Sequence, residues 1–249
     1  MDRHRIKRGI TMSAPKRFFV GQISEEVSLT GDEYKHAKNV LRLGVGDELT
    51  LLDGSGKEYS AVVARVEKGS LTLHVLEGRP SEREPQANVY LLAGALKGDK
   101  TELVVQKAVE LGVNKIAVFS SRYCAAYMNE NKLDRLNRVA REAAKQCLRA
   151  YVPEVVYFDN LKDAIASAEG YEHKLFACEF LSKSEGDIAG MGASYALVIG
   201  SEGGFTEEEF ALAGQYGFAG ISLGKRILRA ETAAISLLSV VMYRAGELQ

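Results

Sequence analysis

The sequence predicts an α/β protein in two parts. A small β-barrel comes first, and a mostly parallel α/β sheet follows, with a site at the carboxyl ends of its strands. Three observations predict it. Between Arg17 and Gly78, short alternating runs such as YSAVVARV and LTLHVL are separated by tight turns, as half-buried barrel strands are. From Asn88 onward, apolar runs of strand length alternate with helical periodicity, the pattern of a parallel sheet with helices on its faces. Near the C-terminus, VIGSEGGFTEEEF (198–210) and ISLGKRILRAETA (221–233) each carry a strand into a glycine turn and then a helix.

Residues 1–14 read as a disordered extension, and Met12 is a candidate start. The extension carries Arg3, Arg5, Lys7 and Arg8 but lacks the apolar core of a secretory signal. The barrel is expected over 15–78. It opens with the strand RFFV, and Thr30 with Glu33 forms a capping-box pattern for a helix at 32–41. Strands follow at 48–52, 58–66 and 71–76, with turn signals at Asp53-Gly54-Ser55-Gly56 and Lys68-Gly69. The segment RPSEREPQA (79–87) holds two of the four prolines and reads as a linker.

The second domain is expected over 88–249. Strands are predicted at 89–93, 115–119, 155–158, 174–178, 195–199 and 220–223. Asp99 with Glu102 starts a helix that runs to Leu111, before Gly112. A long helix at 131–149 stops before Pro153, Asn160 caps another to about 168, and Thr206 with Glu209 is a second capping box. The final helix, 231–245, is apolar on most faces; such a helix is buried, here against a second copy of the chain.

Composition narrows the function classes. With 46% hydrophobic and 26% charged residues the chain is an ordinary globular protein, and no apolar run reaches membrane-spanning length. Three cysteines at unrelated spacings fit a reducing cytoplasm rather than a disulfide framework. Four histidines without ligand spacing argue against a metal site, and no Ser/His/Asp or Cys/His set stands out for a hydrolase. A net charge of −1 makes the chain no polycation, but RNA binding needs only a basic patch. The long helix supplies a candidate: Arg138, Arg141, Lys145 and Arg149 lie three or four apart and share a face, either a solvated face or a phosphate-facing stripe. Neither glycine loop is a phosphate-binding P-loop or a dinucleotide fingerprint.

Taken together, IGSEGG and LGKRILRAETA resemble the signature of the ribosomal small-subunit RNA uridine-N3 methyltransferases, the RsmE family of the SPOUT superfamily. The resemblance runs from Arg17 to the C-terminus, although the family has Pro where this chain has Ser201. It implies a PUA-like RNA-binding barrel, with Arg17, Phe18, Phe19, His36, Val40, Leu41 and Arg42 matching its pattern. It also implies a trefoil-knotted α/β domain, a homodimer through that domain, and S-adenosylmethionine bound in the knotted loops. One wall of the cofactor site would be Ile199, Gly200, Glu202, Gly203 and Gly204, and the other Leu223, Gly224, Arg226, Ile227 and Leu228, with Cys178 and Glu179 at a third side.

The acceptor, N3 of uridine, carries a proton that must leave, and negative charge spreads onto O2 and O4. Arg229 and Arg226 are the candidates to stabilise that charge. An arginine is never deprotonated, so the general base is sought in Glu231 or Glu202; Glu231 also suits the first turn of a helix for its dipole alone. The RNA contacts matched by the resemblance are Arg17, Arg42, Lys97, Lys100 and Arg122, with Gln146 matched on the long helix; Arg138, Arg141 and Arg149 are candidates from their shared face. Where the family has Arg-Ser, this chain has Arg122-Tyr123-Cys124. The partner is small-subunit ribosomal RNA; no metal and no membrane is expected. Two rivals remain: a SPOUT ribose 2′-O-methyltransferase, and a non-catalytic RNA-binding assembly factor.

Overall fold

The computed structural model describes residues 16–179, 181, 186, 188 and 194–248; the extension expected over 1–14 lies outside them. Two compact units divide between Ser81 and Glu82.

The first unit is a five-stranded curled sheet: β1 (Arg17–Phe19), β2 (Glu26–Thr30), β3 (Glu48–Leu52), β4 (Lys57–Glu67) and β5 (Ser70–Pro80), in the order β1-β3-β4-β5-β2. β1 runs parallel to β3 and the other pairs are antiparallel. Phe18, Leu29, Leu43, Leu51, Leu71 and Leu73 form its core. Two register shifts, between Tyr59 and Ala61 and between Val63 and Arg65, bend the long β4–β5 hairpin over that core. Among the described residues no pairing joins β1 to β2, so the sheet curls without closing as the expected barrel would.

Several local expectations change here. β2 was not foreseen, although Val27 and Leu29 point inward and Glu26, Ser28 and Thr30 outward with a period of two. The helix expected at 32–41 is a short α1 (Gly31–Lys35) followed by one π-type turn (His36–Val40). Thr30 makes no side-chain cap there.

The second unit follows the predicted alternation: β6 (Asn88–Gly94), α2 (Lys100–Glu110), β7 (Lys115–Phe119), α3 (Glu130–Gln146), β8 (Val155–Phe158), α4 (Leu161–Ala166), β9 (His173–Ala177), β10 (Ser194–Ile199), α5 (Glu207–Gln215), β11 (Ala219–Ile221) and α6 (Ala230–Arg244). All six strands are parallel, in the order β11-β9-β10-β6-β7-β8. The chain steps outward from β6 to β8, then returns to build the other half, with β10 inserted beside β6. Strand order reverses there, and ligands bind outside the carboxyl ends of strands at such a reversal. Asn160 caps α4 as expected, and Thr206 with Glu209 forms both bonds of the capping box on α5. At α2 Asp99 makes no side-chain cap, and the buried Thr101 Oγ1 ties the preceding loop to the helix by accepting from the Leu96 amide at 2.9 Å.

The segment expected as a linker over 79–87 is structured at both ends. Its first two residues belong to β5, and Glu84, Gln86 and Ala87 are stitched into the second unit. One Glu84 oxygen accepts from the Ala150 and Tyr151 amides and the other from Arg149, while Glu247 accepts from the Gln86 and Ala87 amides. The final helix packs one face within its own unit. α6 buries Ala234, Leu237, Leu238, Val241 and Met242 against α2 and β10 of its own unit, and leaves Val240 and Tyr243 exposed.

Candidate active site

The carboxyl ends of β9, β10 and β11 converge on a cavity of about 420 Å³. Cys178 and Glu179 leave β9, residues 199–202 and Gly204 leave β10, residues 222–229 follow β11, and Ala230 and Ala233 close it from the first turn of α6. Every residue expected to hold the cofactor lines this cavity except Gly203. A β-carbon at Gly203 would lie 2.5 Å from Tyr123 Cβ and 2.8 Å from the Tyr123 carbonyl oxygen, so this glycine serves the packing of the loop after β7 rather than the cavity wall. Gly204 has φ +66°, and a β-carbon there would collide with the Glu179 carboxylate. Only glycine combines that backbone with room for Glu179 beside it.

Besides Lys100, six wall residues lie outside the expected site set: Ala177, Ser201, Ser222, Lys225, Ala230 and Ala233. Ser222 and Lys225 lie inside an already suspected loop, and Ala233 sits three residues after Ala230, a small-residue spacing that lets a ligand approach a helix start. Lys100, expected on RNA, lines the cavity, with Nζ 3.4 Å from Glu202 and 3.9 Å from Glu231. That placement arises from the β6–α2 loop, which no local pattern in the sequence ties to the glycine loops.

The charged groups divide into committed and available ones. Glu202 is committed. Partial burial works against its ionisation, but the Lys97 amide at 3.0 Å and the Lys100 ammonium outweigh that and hold the carboxyl below the usual glutamate range. Such a carboxylate is a poor proton acceptor. Glu231 is different: its side chain is 13% exposed, and its Oε2 is buried with no partner among the described residues. Ser201, 5% exposed on the cavity wall, likewise has an Oγ with no partner. Glu231 is not itself a wall residue and adjoins the wall at Ala230. Buried polar atoms are nearly always satisfied, so the Ser201 orphan on the wall marks a place where a bound molecule or water belongs. Arg226 and Arg229 line the cavity, are exposed to solvent, and form no ion pair with a described residue.

Two of the residues expected on RNA, Arg17 and Arg149, are largely buried in ion pairs. Arg17 is committed to Glu58 at 3.0 Å, with both side chains largely buried, so it holds the first unit together instead of facing phosphate. Arg42 is exposed at the end of the π-type turn, with φ +56°. In the second unit Lys97 and Arg122 are exposed, and the Arg122 amide donates to Glu209 Oε1 at 2.9 Å. Arg138 and Gln146 line a groove of about 710 Å³ between α2 and α3, and Arg141 is exposed nearby on α3. Arg149 falls beyond the end of α3 and is 3% exposed. Its guanidinium spends its donors on Glu84 and on the Val109 and Val113 carbonyls, so the predicted phosphate contact is replaced by a structural one. Among the described residues no group of three or more His, Cys, Asp or Glu could hold a metal ion, and no helix is long and apolar enough to cross a membrane.

Comparison with known proteins gives two matching families. An RNA methyltransferase domain matches residues 82–242, and an RNA methyltransferase PUA domain matches residues 29–76. The chain is 33% identical over 227 residues to ribosomal RNA small subunit methyltransferase E of Mesomycoplasma hyopneumoniae, covering 90% of this chain and 97% of that one. It is 29% identical over 248 residues to the Bacillus subtilis protein of the same name, covering 92% and 96%. The crystal structure of ribosomal RNA small subunit methyltransferase E from Neisseria gonorrhoeae bound to S-adenosyl methionine superposes with a TM-score of 0.80 at 29% identity, over 92% of this chain and 98% of that one.

Proposed function

The chain belongs to the ribosomal RNA small subunit methyltransferase E family, and from that premise we propose that it transfers a methyl group from S-adenosylmethionine to N3 of a uridine in small-subunit ribosomal RNA. The observation that carries the reading is the cavity at the ends of β9, β10 and β11, where Arg226 and Arg229, which form no ion pair with a described residue, face a glycine-shaped wall. Its size falls in the range of about 300–1,000 Å³ usual for small-molecule sites. The orphaned Ser201 Oγ and the left-handed Gly204 fit a polar ligand lying close against the backbone.

When bound, S-adenosylmethionine supplies a methyl group already activated by its sulfonium, so methyl transfer requires no metal. The protein has two tasks at the acceptor. Arg226 and Arg229 offer fixed positive charge to O2 and O4 of the uridine, where negative charge grows as the N3 proton leaves. Glu231, next in the chain to the wall residue Ala230, is the proposed acceptor of that proton: its Oε2 has no partner among the described residues, and the cavity-lining Lys100 lies 3.9 Å from its Oε1. Glu202 clamps the β10 loop to the β6–α2 loop instead. Because N3 is used in base pairing, the target must be single-stranded or flipped out.

The strand order, with β10 inserted between β9 and β6, and the two loops facing one cavity support a SPOUT domain in which the C-terminal segment is threaded as a trefoil knot. Exposed Val240 and Tyr243 on α6 support a homodimer formed through that helix. We place the enzyme in the cytoplasm, where the thiols of Cys124, Cys147 and Cys178 stay reduced. The test is mass spectrometry of nucleosides from small subunits lacking the modification, incubated with the protein and S-adenosylmethionine. The expected product is 3-methyluridine. A ribose-methylated nucleoside would move the assignment to 2′-O transfer, and no product with no cofactor binding would leave a scaffold.

A further inference from the structure

The loop between β7 and α3 carries two large aromatic side chains into solvent: Tyr123 is 55% exposed and Tyr127 73%. Exposed Arg122 precedes them. Nothing in the proposed chemistry uses these tyrosines, yet the loop that bears them is held firmly. Its Arg122 amide donates to Glu209 Oε1 at 2.9 Å, Cys124 Sγ donates to the Ala95 carbonyl at 3.2 Å, and Lys132 Nζ donates to the Tyr127 carbonyl at 2.6 Å. Asn129 caps α3 immediately afterwards, accepting from the Lys132 amide at 3.0 Å. The backbone is therefore set before any partner arrives, and the two rings stand on a fixed base.

The position of the loop gives the rings a purpose. It leaves the carboxyl end of β7, on the same edge of the sheet as the cavity, and Tyr123 packs on Gly203, between the cavity-lining Glu202 and Gly204. We propose that Tyr123 and Tyr127 form a stacking platform for unpaired RNA bases flanking the target nucleotide, with Arg122 on the neighbouring phosphate. The inference rests on the methyltransferase reading for the location of the target. The chemistry of recognition is independent of it. Single-stranded nucleic acid is bound by aromatic faces that accept any base, with cations tracking the backbone. An aromatic pair beside an arginine on a fixed loop is that combination, and Lys132 Nζ, 5.7 Å from the Tyr127 ring centre, adds a second cation.

Binding of a fluorescein-labelled single-stranded oligouridylate by the full-length protein, read by fluorescence anisotropy, tests the platform. Tyr127→Ala and Tyr123→Ala should each weaken binding by about 5- to 150-fold, the range for losing one stacked base. Tyr127→Phe, which keeps the ring, should bind like the wild type, and S-adenosylmethionine affinity by calorimetry should be unchanged in the Tyr127 variants. Tyr127 decides the matter if Tyr123→Ala disturbs the Gly203 contact. Unaltered oligonucleotide binding by Tyr127→Ala would overturn the proposal, and so would an equal loss in Tyr127→Phe. A changed sedimentation mass with RNA binding intact would assign the ring to a protein interface and also overturn it. The two readings separate cleanly: normal 3-methyluridine formation at normal KM by a Tyr123→Ala/Tyr127→Ala double variant sinks the platform alone, whereas tyrosine-dependent RNA binding without 3-methyluridine sinks the uridine-N3 assignment alone.

Discussion

Arg229 and Arg226 share a loop, an exposure and a cavity, but their local settings differ. Arg229 is the residue immediately before α6, with extended backbone, so its side chain is carried on a rigid element; Arg226 sits mid-loop. Pre-positioned charge is worth more to a transition state than to a ground state. Arg229→Ala should therefore lower kcat by about 10²–10³-fold. Cofactor affinity measured by calorimetry should be nearly unchanged; equal losses in both would make Arg229 a cofactor ligand. Glu202 makes the opposite kind of contribution. Its folded carboxyl is held below the ordinary value, so its clamp is fully present above the unfolded value of about 4.3 and is lost as pH falls through the depressed folded one. Denaturant midpoints of the wild type should exceed those of Glu202→Gln at pH 7, and the gap should close progressively below pH ~4. A gap independent of pH would show that the carboxylate charge is not what holds the two loops.

At the scale of elements, α3 shows how far a repeating charge pattern can be trusted. Spacing of three and four placed Arg138, Arg141, Lys145 and Arg149 on one face, and the spacing is real for the first three. The helix ends at Gln146, however, and Leu148 takes φ +65°, so the chain turns and carries Arg149 inward. Periodicity cannot report where a helix stops, and the partner that draws Arg149 in, Glu84, lies 65 positions away in what reads as a linker. Removing one partner of a buried ion pair costs about 3–5 kcal/mol. Arg149→Met should destabilise the protein by that order in urea unfolding while leaving the salt dependence of RNA binding alone. Arg138→Ala with Arg141→Ala should do the reverse: little change in stability, and a slope of log K against log salt reduced by about 1–2. If Arg149→Met changes the slope and spares stability, the buried pair is not structural. The same contrast explains what was legible. The glycine loops, the capping box at Thr206 and the alternation of strands and helices are local patterns, and the structure contains them. The strand order, the Lys100 contacts and the fate of Arg17 depend on pairings far apart in the chain, which no window of sequence encodes.

For the whole molecule, the decisive surface is the outer side of α6. One side of that helix is spent on its own unit through Ala234, Leu237, Leu238, Val241 and Met242, yet two large apolar side chains remain on its outer side. Val240 at 46% exposure and Tyr243 at 64% lie three residues apart, hence on one stripe, and Leu248 just beyond the helix is 39% exposed. Exposed apolar side chains on one stripe are what the proposed homodimer would cover. The consequence reaches the active site because α6 begins at the cavity: Ala230 and Ala233 are wall residues, and Arg229 and Glu231 bracket its first residue. A second copy docked on the outer stripe would fix the axis of the helix whose first turn holds cavity-wall residues and the proposed proton acceptor. Val240→Glu with Tyr243→Glu should convert a dimer to a monomer in sedimentation equilibrium, while circular dichroism shows the fold retained. The same variant should lose both S-adenosylmethionine affinity and turnover, because the helix start is no longer braced. A monomer of full activity would separate the interface from the site, and a dimer that survives both substitutions would place the interface elsewhere.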